Sequence, residues 1–273
     1  MATTGPSPGL KNTIMAYPHP PREPAHFVLN AWRGVLGGCI RRIPTACGLC
    51  GGRSLGGRLC VYCHHAAIAS MAGGMARCAV CCLVLDAQGA CPDCSRLAPA
   101  FDRVLAAFDY APPGDLLIHQ FKVARRFTSA GMLAAMLADA AAAAVPALPR
   151  GTILVPVPAS RSAILRRGFN PAAEIARCLA TQLRLSCRPA LLLRVREGVK
   201  QTYLGRAQRA SSARLLYYCP RRVEGLHIAV VDDVLTTGST LNSIARAFKA
   251  AGAASVTGLV LARTPYRPEQ HCL

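Results

Sequence analysis

Two adjacent carboxylates, Asp232 and Asp233, run straight into the hydroxyl-rich stretch Val234-Leu235-Thr236-Thr237-Gly238-Ser239-Thr240. Ahead of them Ile228 to Val231 is an unbroken apolar run, as expected of a strand buried on both faces of a parallel sheet. Behind them Leu241 to Ala251 reads as a helix. Strand, polar loop and helix in that order form a phosphate cradle. Gly238 permits a tight turn, and the amides of Ser239 and Thr240 point from the helix N-terminus at an anion. The hydroxyls of Thr236, Thr237, Ser239 and Thr240 add neutral donors. Asp232 and Asp233 would repel a phosphate, so their chemistry is to accept hydrogen bonds from sugar hydroxyls. Phosphate beside a diol describes a ribose 5-phosphate. The competing reading is an ordinary buried strand followed by a Ser- and Thr-capped helix, which leaves the acidic pair at the strand's carboxyl end unexplained. A receiver-type acidic pair fits poorly, because Thr-Thr-Gly follows directly and the motif lies late in the chain.

The second chemical pattern is cysteine. Cys47-x2-Cys50 is followed by Cys60-x2-Cys63, and Cys78-x2-Cys81 by Cys91-x2-Cys94, with the same nine residues between the knuckles of each pair. A CxxC turn presents two thiolates along one tetrahedral edge, and a second turn completes the set. Two tandem zinc ribbons follow, each with four protein ligands and no open position, so the metal is structural. Disulfides are the alternative, disfavoured inside a cell. His64 or His65 is an alternative to Cys63, Cys82 competes with Cys81, and a cross-braced pairing of the first and third knuckles also fits. Cys39, Cys178, Cys187, Cys219 and Cys272 have no such spacing and read as incidental thiols.

The elements that must position these groups are an α/β domain and a small accessory module. Residues 1–26 read as a disordered leader with Met15 as a candidate start. Phe27 to Ile43 carries Val28, Trp32, Val35, Leu36 and Ile40 on one helical face, a docking helix over residues 27–44, with a membrane-surface helix as the alternative. The cysteine module occupies 45–98 and the α/β domain 99–267. In the latter, Phe101 to Tyr110 reads as a strand, Asp115 to Arg126 and Thr128 to Val145 as helices, and Ile153 to Pro158 as a second parallel strand whose prolines end its pairing. A basic loop then runs from Ala159 to Asn170, followed by helix Pro171 to Leu185 and the apolar run Ala190 to Val195. Strands His227 to Asp232 and Ser255 to Ala262 complete the sheet. His119 reads as a surface or packed histidine rather than a catalytic one.

The chain has 273 residues, 52% of them hydrophobic, with a formal charge of +19. That composition supports a sizeable core and excludes wholesale disorder. Two four-thiolate zinc sites would lower the charge to about +15. A basic chain points to phosphate-rich partners: nucleotides, nucleic acid or anionic lipid. Between Pro158 and Arg222 arginines abound while Glu174 and Glu197 are the only acids. No stretch reads as a signal peptide or a transmembrane helix, so a cytoplasmic protein is expected.

Four apolar residues, an acidic pair and Thr-Thr-Gly-Ser-Thr resemble the phosphoribosyl pyrophosphate (PRPP) motif of type I phosphoribosyltransferases. The resemblance implies that fold, with Asp232 and Asp233 on the ribose 2- and 3-hydroxyls and Thr236 to Thr240 on the 5-phosphate. It narrows through the tandem CxxC pairs, Phe101-Asp102 with Tyr110, His119 with Phe121-Lys122, Val155-Pro156-Val157-Pro158, Arg167-Gly168-Phe169-Asn170, and Gln201 with Leu204 and Arg206. Together these look like the ComF family, which includes ComFC proteins of natural competence and GntX-like relatives. That resemblance implies Mg²⁺ with PRPP, Arg161 facing the pyrophosphate, and a closing loop from Gln201 to Arg209 with Arg206 over the leaving group. The function expected is a phosphoribosyl transferase with an unidentified acceptor, set in DNA uptake. The alternative is a non-catalytic protein that binds single-stranded DNA through Arg161, Arg166, Arg167, Arg206, Arg209 and Arg214. Pro171 stands where the family often has Gln, and Ser212 where it often has Asn.

Overall fold

The computed structural model describes residues 43–96, 98–123, 129–195 and 216–266. The leader of the sequence reading, its docking helix up to residue 42, the Gln201–Arg209 loop, Arg206, Arg209 and Arg214 lie outside them, and Pro44, the last residue of that reading, opens a strand instead. Strands β1 (Pro44–Ala46) and β2 (Arg53–Leu55) pair antiparallel, and helix α1 (Val61–Ala72) follows. The rest alternates: β3 (Arg103–Asp109), α2 (Gly114–Val123), α3 (Ser129–Ala142), β4 (Ile153–Pro156), α4 (Arg161–Arg167), α5 (Pro171–Leu183), β5 (Ser186–Cys187), the short pair β6 (Leu193–Arg194) and β7 (Tyr217–Tyr218), β8 (His227–Leu235), α6 (Ser239–Ala250) and β9 (Ser255–Arg263).

Five strands form one parallel sheet in the order β3-β9-β8-β4-β5. Alternation along each strand sends side chains to two cores. Ala229, Val231, Leu154 and Leu259 meet Leu117, Ile118 and Phe121 of α2, Leu133 and Leu137 of α3, and Ile175 and Leu179 of α5. Ile228, Val230, Val155 and Val256 meet Leu241, Ile244, Ala245 and Phe248 of α6. Those four α6 residues share one face, and Ser243, Arg246 and Lys249 occupy the other, so the helix is a sheet cover.

Helix α5, which follows β4 and α4, and helix α6, which follows β8, thus lie on opposite faces of the sheet. Adjacent strands whose connections leave in opposite directions open a crevice at their carboxyl ends. Asp232, Asp233 and the Thr236–Gly238 turn stand at that crevice.

The basic segment after β4 is a helix rather than a loop. Ser160 caps it by accepting the Ala163 amide at 3.2 Å, and Gly168 closes it in a left-handed turn onto the Ile164 carbonyl. Pro171 takes the first turn of α5, where its missing N–H is harmless. Asn170 caps that helix through Oδ1 to the Ala172 amide at 3.1 Å, while its Nδ2 donates to Val157 O at 3.0 Å. One side chain thereby ties α5 to the end of β4.

The cysteine module shares both cores with the sheet. Cys47, Leu59 and Ala67 belong to the α2–α3–α5 layer, whereas Cys81, Leu83 and Cys91 belong to the α6 layer. Arg77 fastens the module to β3 through a bidentate pair with Asp109 at 3.0 and 2.7 Å, and donates to Ser70 O and Cys82 O.

Candidate functional site

Strand β8 continues past the point where the sequence reading ended it. Pairing on the β4 side stops as Val157 N donates to Val231 O, but β9 runs on opposite β8 to Arg263, matching Asp232 with Val260 and Leu235 with Arg263. The acidic pair is therefore embedded in a strand with one free side, not placed in a loop. Neighbouring strand residues face opposite ways. Asp233 meets Lys122 Nζ of α2 at 2.9 Å. Asp232 belongs to the opposite side, towards Tyr217: burial raises that phenol, Arg194, 5.7 Å over the ring, opposes it, and the Asp232 charge adds a smaller upward push.

Burial pushes Asp232 up to about 7; the Asp233 charge adds to this, while the Asp233 amide (2.9 Å to Oδ1) and Lys122 oppose it. The two carboxylates are thus unlike: one is held by a cation, and the other keeps a proton to near neutrality. Such a pair can both donate to and accept from sugar hydroxyls.

Lys122 reaches Asp233 because Phe121, fully buried, packs edge-on against Phe169 with ring centres 5.5 Å apart. The sequence reading placed Lys122 on the helix Asp115 to Arg126 and in the family motif, with no partner assigned to it. The signal available was Phe121-Lys122 within the family resemblance. His119 on the same helix is exposed.

In the turn, Gly238 has φ +79°, a left-handed conformation that L side chains rarely adopt. Thr237 donates Oγ1–H to Ser239 Oγ at 3.1 Å, and Asn242 N donates to Gly238 O at 2.8 Å. Thr236, Thr237, Ser239 and Thr240 are exposed at the start of α6. Buried Asn242 accepts the Ala100 amide at 2.6 Å, holding the helix to the segment before β3.

Arg161, Ser160, Ile164, Leu165, Arg194 and Leu216 line a groove of about 950 Å³. Neither the acidic pair nor the Thr236–Thr240 turn lines it. Arg194, which lines it, lies 5.7 Å over the ring of Tyr217. Arg161 and Arg166 are exposed on α4 and Arg167 is half-buried.

The eight CxxC cysteines come together as two sets, Cys47, Cys50, Cys60 and Cys63, and Cys78, Cys81, Cys91 and Cys94, with sulfurs in each within 4.8 Å. Cys50 and Cys60 are 3.7 Å apart, Cys78 and Cys94 3.8 Å, and Cys81 and Cys91 3.3 Å. Tetrahedral Zn–S bonds of about 2.3 Å imply edges of about 3.8 Å. The knuckles repeat closely. Cys47 N donates to Gly52 O and Gly51 N to Cys47 O; Cys78 N donates to Leu83 O and Cys82 N to Cys78 O. Cys82 (φ +64°) therefore occupies the left-handed position of Gly51 (φ +73°), which explains why it stands outside the set. Neither His64 nor His65 joins the first set, and the pairing is sequential rather than cross-braced. Helix α1, which the sequence reading did not place, begins at the second knuckle with Cys60 as its cap.

Burial raises Cys47, but backbone hydrogen bonds at Cys50, Cys60 and Leu49 outweigh it and bring the thiol down to about 6. Burial pushes Cys63 up to about 12, with neighbouring thiols adding to it, and pushes Cys81 up to about 11 against the opposing Leu83 amide and Arg263. Four such groups ionise together only around a cation, so the donor set fits zinc.

Comparison with known proteins bears on the family of the chain. A family described as phosphoribosyl transferase domain matches residues 163–271, from within α4 through the acidic pair to beyond β9. The DNA utilization protein YhgH of Salmonella typhi is 35% identical over 176 residues, spanning 64% of this chain and 78% of that protein. Competence protein F of Haemophilus influenzae is 29% identical over 180 residues, covering 63% and 78%, respectively. Competence protein ComFC of Bacillus subtilis is 35% identical over 113 residues, or 41% and 45%. The chain belongs to the ComF family.

This ComF-family chain joins a type I phosphoribosyltransferase-like sheet to a module of two four-cysteine sets. No helix among the described residues is long and apolar enough to cross a membrane. Sequence reasoning also missed Arg263, ending the strand one residue before it. It is 2% exposed and donates to the carbonyls of Leu235 and Thr236 at the head of the turn. A buried arginine leaves no local signal, because charge normally marks surface.

Proposed function

We propose that the chain binds PRPP or a related ribose 5-phosphate at the crevice between β4 and β8 and transfers the phosphoribosyl group to an acceptor. The observation that carries this is the unlike acidic pair, Asp233 held by Lys122 and Asp232 protonated to near neutrality, directly ahead of the Gly238 turn. Asp232 and Asp233 hold the ribose 2- and 3-hydroxyls. Thr236, Thr237, Ser239 and Thr240, with the first amides of α6, hold the 5-phosphate. Mg²⁺ arriving with PRPP would offset the charge of the pyrophosphate, which Arg161 faces. Arg161 and Arg206 are assigned to the pyrophosphate side. In the transfer the anomeric C–O bond breaks, and pyrophosphate leaves with the electron pair. The acceptor's lone pair forms the new bond at that carbon, and the acceptor loses a proton. The names of the relatives suggest DNA uptake or DNA utilization as the setting, and the free thiols suit a reducing cytoplasm.

A screen for pyrophosphate release from PRPP with bases, amines and nucleotides as acceptors tests the transfer. Acceptor-dependent release that disappears in Asp233→Asn is expected. Release that persists in the variant would place the chemistry elsewhere.

A second reading, single-stranded DNA binding without catalysis, is favoured by α4, which exposes Arg161 and Arg166 beside Ile164 (42%) and Leu165 (75%). Each phosphate neutralised contributes about −0.7 to the slope of log K against log salt. Arg166→Ala/Arg167→Ala should flatten that slope by about 1 to 1.5. An unaltered slope removes α4 from the interface.

A further inference from the structure

Arg263 closes β9 and is among the largest fully buried side chains, an unusual position for a charge unless its donors are met. They are met from two directions. Nε donates to Cys81 O at 3.0 Å, and Nη2 reaches Asp93 Oδ2 at 2.5 Å and Cys81 Sγ at 3.9 Å. Nη1 donates to Leu235 O at 3.2 Å, to Thr264 O at 3.1 Å and to Thr236 O. One part of a rigid, planar guanidinium thus grips the second cysteine set, and another grips the first carbonyls of the turn after β8. Cys81, Cys94 and Phe101 face Thr237 and Gly238 across a space of about 10 Å³. That is room for one water at most. The first cysteine set supplies none of these contacts.

We infer that Arg263 is a positioning residue that couples metal occupancy of the Cys78–Cys81–Cys91–Cys94 set to the shape of the Thr236–Thr240 turn. With the four sulfurs gathered on zinc, Cys81 and the Asp93-bearing knuckle are fixed, and the guanidinium has one place to lie. Leu235 and Thr236 then present their carbonyls to a fixed donor, and the amides beyond them stay aimed at the crevice. When the set opens, Arg263 loses its anchor and the turn its support. Linkage makes the effect mutual, so a ligand on the turn also tightens the metal. The first set packs into the opposite core and lacks this route. The inference rests on the ribose-phosphate reading where affinity is concerned, but the mechanical coupling can be read without ligand.

The test uses the zinc-loaded full chain and three variants: Cys94→Ser, Cys50→Ser and Asp93→Asn. Hydrogen exchange at the amides of residues 236–240, zinc content, and calorimetric affinity for ribose 5-phosphate are measured on each. Cys94→Ser should lose one zinc, speed exchange in the turn by about tenfold, and weaken ribose 5-phosphate by a similar factor. Cys50→Ser should also lose one zinc, with an effect on the turn at least about fivefold smaller. Asp93→Asn retains all eight thiols and should keep both zinc ions while still loosening the turn. It therefore decides the matter even if Cys94→Ser does not fold. Equal exchange in wild type and Asp93→Asn, or equal effects from the two cysteine variants, would overturn the coupling. Wild-type protein that ignores ribose 5-phosphate would refute the binding reading alone, with the exchange data still deciding the role of Arg263.

Discussion

Lys122 Nζ and Asp233 Oδ2 lie 2.9 Å apart with side chains 24% and 13% exposed, joining α2 to the end of β8. A pair this far from water is sensitive to losing one partner, because the remaining charge stays half-buried. Lys122→Met should lower stability by about 1–3 kcal/mol in urea unfolding at neutral pH, and Lys122→Arg should recover most of it. Equal stability of the Met variant and wild type would show that water already solvates Asp233.

The other carboxylate predicts a pH dependence. An aspartate has an unfolded pKa of about 3.9, and burial beside Asp233 raises Asp232 to about 7 in the fold. A raised folded pKa contributes stability that is fully present below the unfolded value and is lost as pH climbs through the folded one. Asp232→Asn should therefore exceed wild type by about 1–3 kcal/mol at pH 8, with the gap closing toward pH 4. The same variant should bind ribose 5-phosphate less well, an opposition of stability and function expected of a site rather than of a core position. A gap that does not change with pH would contradict the assignment.

Gly238 separates steric from backbone effects. A Cβ built there would meet only Phe101 ring carbons at 3.8 Å, an ordinary contact, so the penalty of Gly238→Ala comes from φ +79°. We expect a loss of about 1–2 kcal/mol. Ribose 5-phosphate affinity should fall about tenfold as the amides of α6 turn away. Calorimetry on the folded variant measures this, and unchanged affinity would detach the turn from the phosphate.

These residues differ in how far the sequence revealed them. Asp232, Asp233 and Gly238 are contiguous, so their chemistry was legible from type and order. The strand's true end was not, because β8 extends only as far as its partner β9, and partner length is a tertiary property. Lys122 and Arg263 matter through neighbours distant in sequence; Phe121-Lys122 stood among the family motifs without naming the contact, and nothing around Arg263 marks its own. The knuckles were legible from spacing, yet the choice of Cys81 over Cys82 emerged only with the left-handed turn. Helix α1 went unread because its apolar and small residues carry no clear amphipathic stripe beside two cysteines. The basic run after β4 looked like a loop, although Ser160 and Gly168 are a cap at each end of a two-turn helix.

The central claim is that the acidic pair holds a ribose phosphate, and titrating Mg-PRPP into the zinc-loaded chain by calorimetry tests it most directly. Asp232→Asn/Asp233→Asn keeps the shape of both side chains and removes their charge. Wild type should bind saturably, and the double variant should lose at least about tenfold in affinity while retaining its zinc and its cooperative unfolding. Equal binding by the folded double variant, or none by wild type, would contradict the account.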